Sequence, residues 1–350
     1  MEIGSAEWLD KVYTDSNITI YPKGMSVDGL RHTFQAERIG EDGNPTPFDE
    51  VVSFINESHT DVKAWYESTK GRPFDRFNLG ADLAEVREKS WAHPAFKEAF
   101  RLLGLNHETN HRQINLPWYN ELSMGELSHQ VLGLESIVTF APMHSFEIQL
   151  QRNGIKVPVN GCSVDGIIIT APDSNSSNGY VAVGIRGGSS FPNTYHVVAA
   201  GGLKGTPELK RGEESIYDVF RRTELAAELG DFTDERIVQA RPLARNVEHI
   251  INKGGVTYLF KVRTNLSKEE IENFWVTAKD KKEHTGIVFV PAHSDAVNDF
   301  IAQNYRGIVA NKQDRPDSER YLLSPGALDL AAYAGMKPNK LRLLHQDGEW

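Results

Sequence analysis

A chain of 350 residues, 39% of them hydrophobic, can bury more than one core, and no apolar run approaches the length of a membrane span. Acidic residues outnumber basic ones 48 to 38, and the net charge of −10 argues against nucleic acid as a partner; no basic run interleaved with aromatics offers a single-stranded site. The one cysteine, Cys162, excludes an internal disulfide, and MEIGSAEWLDK has neither the basic stretch nor the apolar run of a secretory leader, so the expected compartment is the cytoplasm.

The first 140 residues read as a mostly helical accessory domain after a short extended opening, NITIYPKG. Segments 47–57, 59–69 and 81–103 have helical spacing, and PFDE supplies a proline near the first turn followed by acidic residues. His107, His111 and His129 fall at no ligand spacing and read as structural or surface residues. In TKGRPFDRFNLG, Arg72 and Arg76 stand among aromatics in a loop suited either to a ligand contact or to helix packing.

A boundary is expected near residues 135–145, ahead of FEIQLQRNGIKVPV, whose Asn153-Gly154 step signals a hairpin that would open a second domain, 141–305. Residues 164–171 and 180–186 read as strands joined by the polar turn PDSNSSNG, and 195–200 as a third. Gly201-Gly202 breaks that strand, and a loop with Gly205, Pro207 and Gly212 leads into GEESIYDVFRRTELAAELG. Read as one helix, this segment carries Glu213, Tyr217, Arg221, Glu224 and Glu228 along a single face, with its aliphatic residues on the other. Glu224 and Glu228, one turn apart, suit a hard cation such as Mg²⁺ or Mn²⁺; a solvated acidic face is the alternative.

Downstream, 255–263 reads as a strand, 267–275 as a helix, 286–292 as a strand and AHSDAVNDFIAQNY as a further helix. The remainder, 306–350, is expected to be an extension packed on the core: a charged turn, NKQDRPDSER, then a short capped helix, SPGALDLAAYAGM, and a polar tail.

The strand, glycine loop and acidic helix of residues 201–230 resemble the Nudix box, Gly-x5-Glu-x7-Arg-Glu-U-x-Glu-Glu-x-Gly, where U is bulky and apolar. Glu224, Leu225, Glu228 and Gly230 match it; Thr223, Ala227 and Ser215 replace its Arg, the first Glu of its pair and its leading Glu. Ten residues separate Gly202 from Glu213 where the pattern has five, so a lengthened loop brings Glu213 and Glu214 near the leading position. The resemblance implies a Nudix-like α/β/α sandwich with a mixed sheet. It also implies divalent-metal-dependent hydrolysis of a nucleoside diphosphate linked to another group.

On that reading the metal ligands are Glu224 and Glu228 with Glu213 or Glu214, and the water is oriented by Glu224 or by Glu283 of KKEHTG, with His284 a second candidate base. Gly201, Gly202, Lys204 and Arg186 would meet the phosphates, and Arg221 would orient Glu224. Glu283 and His284 read equally as a polar loop before a strand, and Glu248-His249 more so. Two other functions fit the sequence: a ligand-binding or regulatory module of the same fold without turnover, to which the three replacements point, and an isomerase acting on a diphosphate ester. The expected partner is a phosphorylated or nucleotide small molecule, and the helical N-terminal half offers surface for a homodimer.

Overall fold

The computed structural model describes residues 18–39, 45–75, 79–111, 122–152, 157, 159–187, 193–230, 234–248, 255–305 and 320–336, apart from the side chains of 110, 122, 145, 146, 149, 152, 248, 324 and 325. Arg76, Asn153-Gly154, His249, most of NKQDRPDSER and the polar tail lie outside them. Among the described residues no helix is long and apolar enough to cross a membrane.

Strands β1 (Ile18–Ile20) and β2 (Leu30–Phe34) are followed by a small ribbon of β3 (Arg38–Ile39) and β4 (Pro45–Thr46). Helix α1 (Phe48–Lys70) then runs unbroken through the first two predicted helices. Its buried residues Val51, Ile55, Ser58, Val62 and Tyr66 recur every three or four positions and form one continuous stripe. Gly71, with a left-handed φ of 65°, ends it. Helices α2 (Leu83–Ala92) and α3 (Pro94–Leu102) divide at His93, which Pro94 holds extended.

Beyond this point the helical reading of the N-terminal part is corrected. Strands β5 (Leu122–Leu132) and β6 (Glu135–His144) form a long antiparallel hairpin, and β2 joins β6 in parallel. The end of β6, Phe140 to His144, is buried on both faces, so its sequence lacks the alternation that marks a half-exposed strand. The segment read as the first arm of a hairpin is instead helix α4 (Ser145–Arg152). Its first turn is fixed by Glu147, whose carboxylate accepts the His144 N–H at 2.9 Å and a paired Arg38 guanidinium at 2.9 Å.

The remaining elements are β7 (Asn160–Ile169), β8 (Tyr180–Arg186), β9 (Tyr195–Val197), β10 (Ala200–Gly202) and α5 (Pro207–Arg211). There follows α6, which is α-helical over Ile216–Phe220, π-helical over Arg221–Leu225 and α-helical over Ala226–Leu229. After it come β11 (Ile237–Glu248), β12 (Gly255–Thr264), α7 (Lys268–Thr277), β13 (His284–Pro291), α8 (Ser294–Asn304) and α9 (Ser324–Ala334).

The sheet is mixed and runs β1-β11-β12-β7-β5-β6-β2, so it takes strands from both sides of residue 140. Strand β7 is its axis: β12 lies parallel along one edge, while the other edge meets β5 at Gly161, β10 at Ser163 to Asp165 and β8 at Ile169. Because β7 and β8 touch only at that end, they diverge, and β10 and a cleft occupy the opening.

Helices cover both faces. Ile216, Val219, Phe220 and Leu225 of α6 and Ile271 of α7 pack on Val164, Ile168, Tyr258 and Phe260. Gly166 makes this approach possible, since a side chain there would overlap the Phe220 ring. On the opposite face Val297 and Ile301 of α8 and Leu328, Leu330 and Ala331 of α9 pack on Ile167, Ile169 and Leu259. Helices α1 and α3 form a third cluster with Ala141, Met143 and Leu150.

Arg38 and Glu147 are 2% and 1% exposed at their side chains, and removing one partner leaves the other charge buried and unpaired. Glu147→Ala is therefore expected to cost about 3–5 kcal/mol in urea denaturation. A loss within ±0.5 kcal/mol, as on an ordinary surface, would contradict the role given to this pair.

Candidate active site

Helix α6 starts later than its sequence suggests. Gly212, at φ 73°, ends α5, and Ser215 caps α6 reciprocally with Asp218: the Ser215 hydroxyl accepts the Asp218 N–H at 3.1 Å, and the Asp218 carboxylate accepts the Ser215 N–H at 3.0 Å. Glu213 and Glu214 are left in the link before the cap. Glu213 is exposed and pairs with Arg211 at 2.7 Å; Glu214 pairs with Arg222 at 2.8 Å and accepts the Thr206 hydroxyl at 2.8 Å. Neither is brought to Glu224 or Glu228.

The predicted five-residue ridge is also broken by the π-turn, which adds a residue to the coil and rotates the residues C-terminal to it. Tyr217 enters the core against Phe260, with ring centroids 5.3 Å apart. Arg221 pairs with Asp234 and not with Glu224. Glu224 and Glu228 remain neighbours, both turned inward.

Glu228 is 3% exposed, and both of its carboxylate oxygens accept hydrogen bonds. One oxygen accepts the Ala199 N–H at 3.2 Å and meets His284 Nε2 at 2.6 Å; the other accepts the Ala200 N–H at 3.1 Å. Consecutive N–H groups converge on one carboxylate because Ala199 adopts a left-handed φ of 64°, which in a non-glycine residue costs about 1–2 kcal/mol. The His284 ring reaches this position over Gly184, where any side chain would overlap it.

Glu224 has a different environment. It is 8% exposed and lies against Gly201, at which a Cβ would overlap its carboxyl group. Burial first, and the negative charge of Glu228 second, push it up to about 7, against a smaller opposing pull from Lys204. Glu283, in the exposed turn before β13, also acts on Glu224, and its own carboxyl is raised by desolvation and by Glu228. Arg186, at the end of β8, pulls Glu283 the other way. The fold thus gathers Glu224, Glu228, Glu283, Lys204, Arg186, Gly201 and Gly202 from the residues singled out in the sequence. Among the described residues no three His, Cys, Asp or Glu side chains are arranged to hold a metal by themselves.

Beside this group lies a cleft of about 220 Å³, lined by Ser163, Asp165, Arg186, His196, Gly201 and Thr257 among others. The Ser163 and Thr257 hydroxyls lie 2.6 Å apart. Burial, with help from the Arg186 charge, lowers the His196 imidazole to about 3, so it is neutral at physiological pH. Asp165 hydrogen-bonds to Asp329 of α9, whose carboxyl is pushed up to about 7 by burial and also accepts Asn246 Nδ2 at 2.7 Å. The sequence reading passed over Asp165, His196 and Asp329. The signal available for Asp165 was a lone carboxylate inside the apolar strand VDGIIITA; Asp329 is read as a site neighbour only once α9 is docked.

No protein-family model and no curated protein matches the chain. Among solved structures, the Deinococcus radiodurans protein DR0079 aligns with 41% of this chain and 73% of its own, at 17% identity and a TM-score of 0.29. A bifunctional NMN adenylyltransferase/ADP ribose pyrophosphatase from Francisella tularensis, complexed with AMP and a manganese ion, aligns with 77% of this chain and 84% of its own, at 10% identity and a TM-score of 0.27. At such scores neither similarity carries an argument about fold or activity.

The two carboxylates predict opposite effects on stability. Glu228→Ala leaves two buried N–H groups and His284 Nε2 without an acceptor, and the expected loss in urea denaturation is about 3 kcal/mol or more. Glu224 has a folded-state value near 7 against an ordinary 4.5, so its contribution to stability is present below the ordinary value and is lost as pH rises through about 7. In chelator, Glu224→Gln should match the parent near pH 4.5 and exceed it near pH 8; equal stabilities at the higher pH would refute the shift.

Proposed function

We propose that the chain is a divalent-metal-dependent hydrolase that cleaves the pyrophosphate bond of a nucleoside diphosphate linked to another group. Glu224 carries the reading. It is a buried carboxylate poised near neutrality beside a side-chain-free backbone, with carboxylates and cations supplied by three other segments. Carboxylates crowded in this way repel, and a dication relieves the repulsion.

Glu224 and Glu283 are the residues that would hold the cation, since both oxygens of Glu228 are engaged. Two carboxylates suffice for Mg²⁺ or Mn²⁺, which keep waters and take phosphate oxygens as further ligands. Bound there, the ion would neutralise the pyrophosphate and acidify a water. Arg186 and Lys204 supply positive charge for the phosphates, and Gly201-Gly202 permits close approach to the backbone. Glu283, at the exposed side, would orient the attacking water.

The sequence departures bear less on this chemistry than their number suggests. The Nudix pattern's Arg and first paired Glu stand four residues apart, where opposite charges on a helix pair with each other. Thr223 and Ala227 replace both partners at once and leave no orphan charge. Ser215, in place of the leading Glu, caps α6.

One observation favours a second reading, a nucleotide-phosphate binding module without turnover: Glu228 is withdrawn from ligation, and Glu213 and Glu214 sit in ion pairs of their own. Incubation with a panel of dinucleotides and nucleotide sugars separates the two. As a hydrolase, the protein releases a nucleoside monophosphate only with Mg²⁺ or Mn²⁺, and Glu224→Gln lowers kcat by about a hundredfold or more at an unchanged fold. Metal-independent binding without product, or full turnover in Glu224→Gln, would overturn the assignment.

A further inference from the structure

The face of the sheet opposite α6 carries a group of cations that the carboxylate site does not use. Arg241 of β11 and Lys261 of β12 stand directly opposite in the antiparallel register, a placement in which like charges destabilise the pair. Arg263 lies two residues on along β12 and therefore on the same face. That face is the one packed by α9, as Lys261 shows: its ammonium lies 5.1 Å from the centroid of the Tyr333 ring. Lys23, after β1, completes the group.

Among the described residues, the charges acting on Lys261 are the cations Arg263, Arg241 and Lys23. Burial and these neighbours together lower its ammonium to about 8. Among the described residues the two guanidinium groups hydrogen-bond to backbone carbonyls, Pro242 O at 3.4 Å and Asn178 O at 3.5 Å, and form no ion pair with a carboxylate. By contrast, the guanidinium groups of Arg38 and Arg245 each pair with a carboxylate, Glu147 and Glu126. Half-buried like charges held in cross-strand register without an acid repel one another, and an anion removes that repulsion.

We propose that Arg241, Lys261, Arg263 and Lys23 form a second site, separate from Glu224, for a small molecule carrying two or more phosphate groups. Guanidinium groups match phosphate oxygens in a bidentate manner, and the several positive charges call for more charge than one phosphate supplies. A small ligand is favoured over nucleic acid because the patch is confined to β11, β12 and the segment after β1, on a chain of net charge −10. The site does not depend on the hydrolase reading.

Titration calorimetry with tripolyphosphate on the full chain, in chelator so that no metal bridges the ligand to Glu224, tests it. One ligand per chain is expected. Affinity should fall roughly tenfold or more in the Lys261→Gln/Arg263→Gln double variant and in Arg241→Gln, and stay unchanged in Glu224→Gln. The ligand should also raise the melting temperature of the parent, which reads binding even for a variant that folds poorly. Absence of binding at millimolar tripolyphosphate, equal affinity in a folded double variant, loss of binding in Glu224→Gln, or tighter binding of a single-stranded oligonucleotide would each overturn the proposal.

Discussion

The architecture around the site depends on one buried carboxylate. Glu228 joins α6 to the turn between β9 and β10 through the Ala199 and Ala200 N–H groups, and to the start of β13 through His284. These segments are far apart in sequence; the Asp280 N–H, which donates to Ala227 O at 2.8 Å, adds a second polar link between α6 and the turn before β13. Hydrogen bonds to a buried charge are each worth about 1.5–3 kcal/mol, enough to hold Ala199 in its left-handed conformation against a cost of about 1–2 kcal/mol. With that turn fixed, Gly201 lies against Glu224, and residues 202–204 run between β7 and β5, where Leu203 N–H bonds to Cys162 O and Met124 N–H to Leu203 O.

The clamp also separates the duties of two glutamates one turn apart. Donors surround Glu228, whereas Glu224 faces desolvation and the charge of its neighbour with little compensation. Of the two carboxylates, Glu224 is the one with fewer hydrogen-bond donors around it. The cleft at Arg186 and His196 begins beside Glu224 and is lined by groups able to donate or accept hydrogen bonds. The fold thus sets Glu224 near Lys204, and Glu283 near Arg186, beside a polar recess.

Much of this was legible in the residues, for identifiable reasons. The strands read at 164–171, 180–186 and 195–200, the order β12, α7, β13, α8 and the proximity of Glu224 to Glu228 follow from hydrophobic period, turn residues and local spacing; Gly201-Gly202, read as a strand break, instead pairs with β7 as part of β10. What escaped was set by competition or by distance. The Ser215 cap excluded Glu213 from the helix, and the π-turn rotated Glu228 out of line with Tyr217, which packs in the core, although all three lay on the face that an ideal helix predicts. Strand β6 was hidden because burial on both faces erases alternation. The His284 contact spans 56 residues and the Ala199 contact 29, beyond any local pattern.

The central claim is that Glu228 clamps the site while Glu224 does the binding. Crystals soaked in Mn²⁺ together with a non-hydrolysable nucleoside diphosphate derivative test it most directly, through anomalous scattering. The account predicts metal density at Glu224 and Glu283, with Glu228 still bonded to Ala199, Ala200 and His284. Density on Glu228 with the His284 contact broken, or a ligand seated without metal, would contradict it.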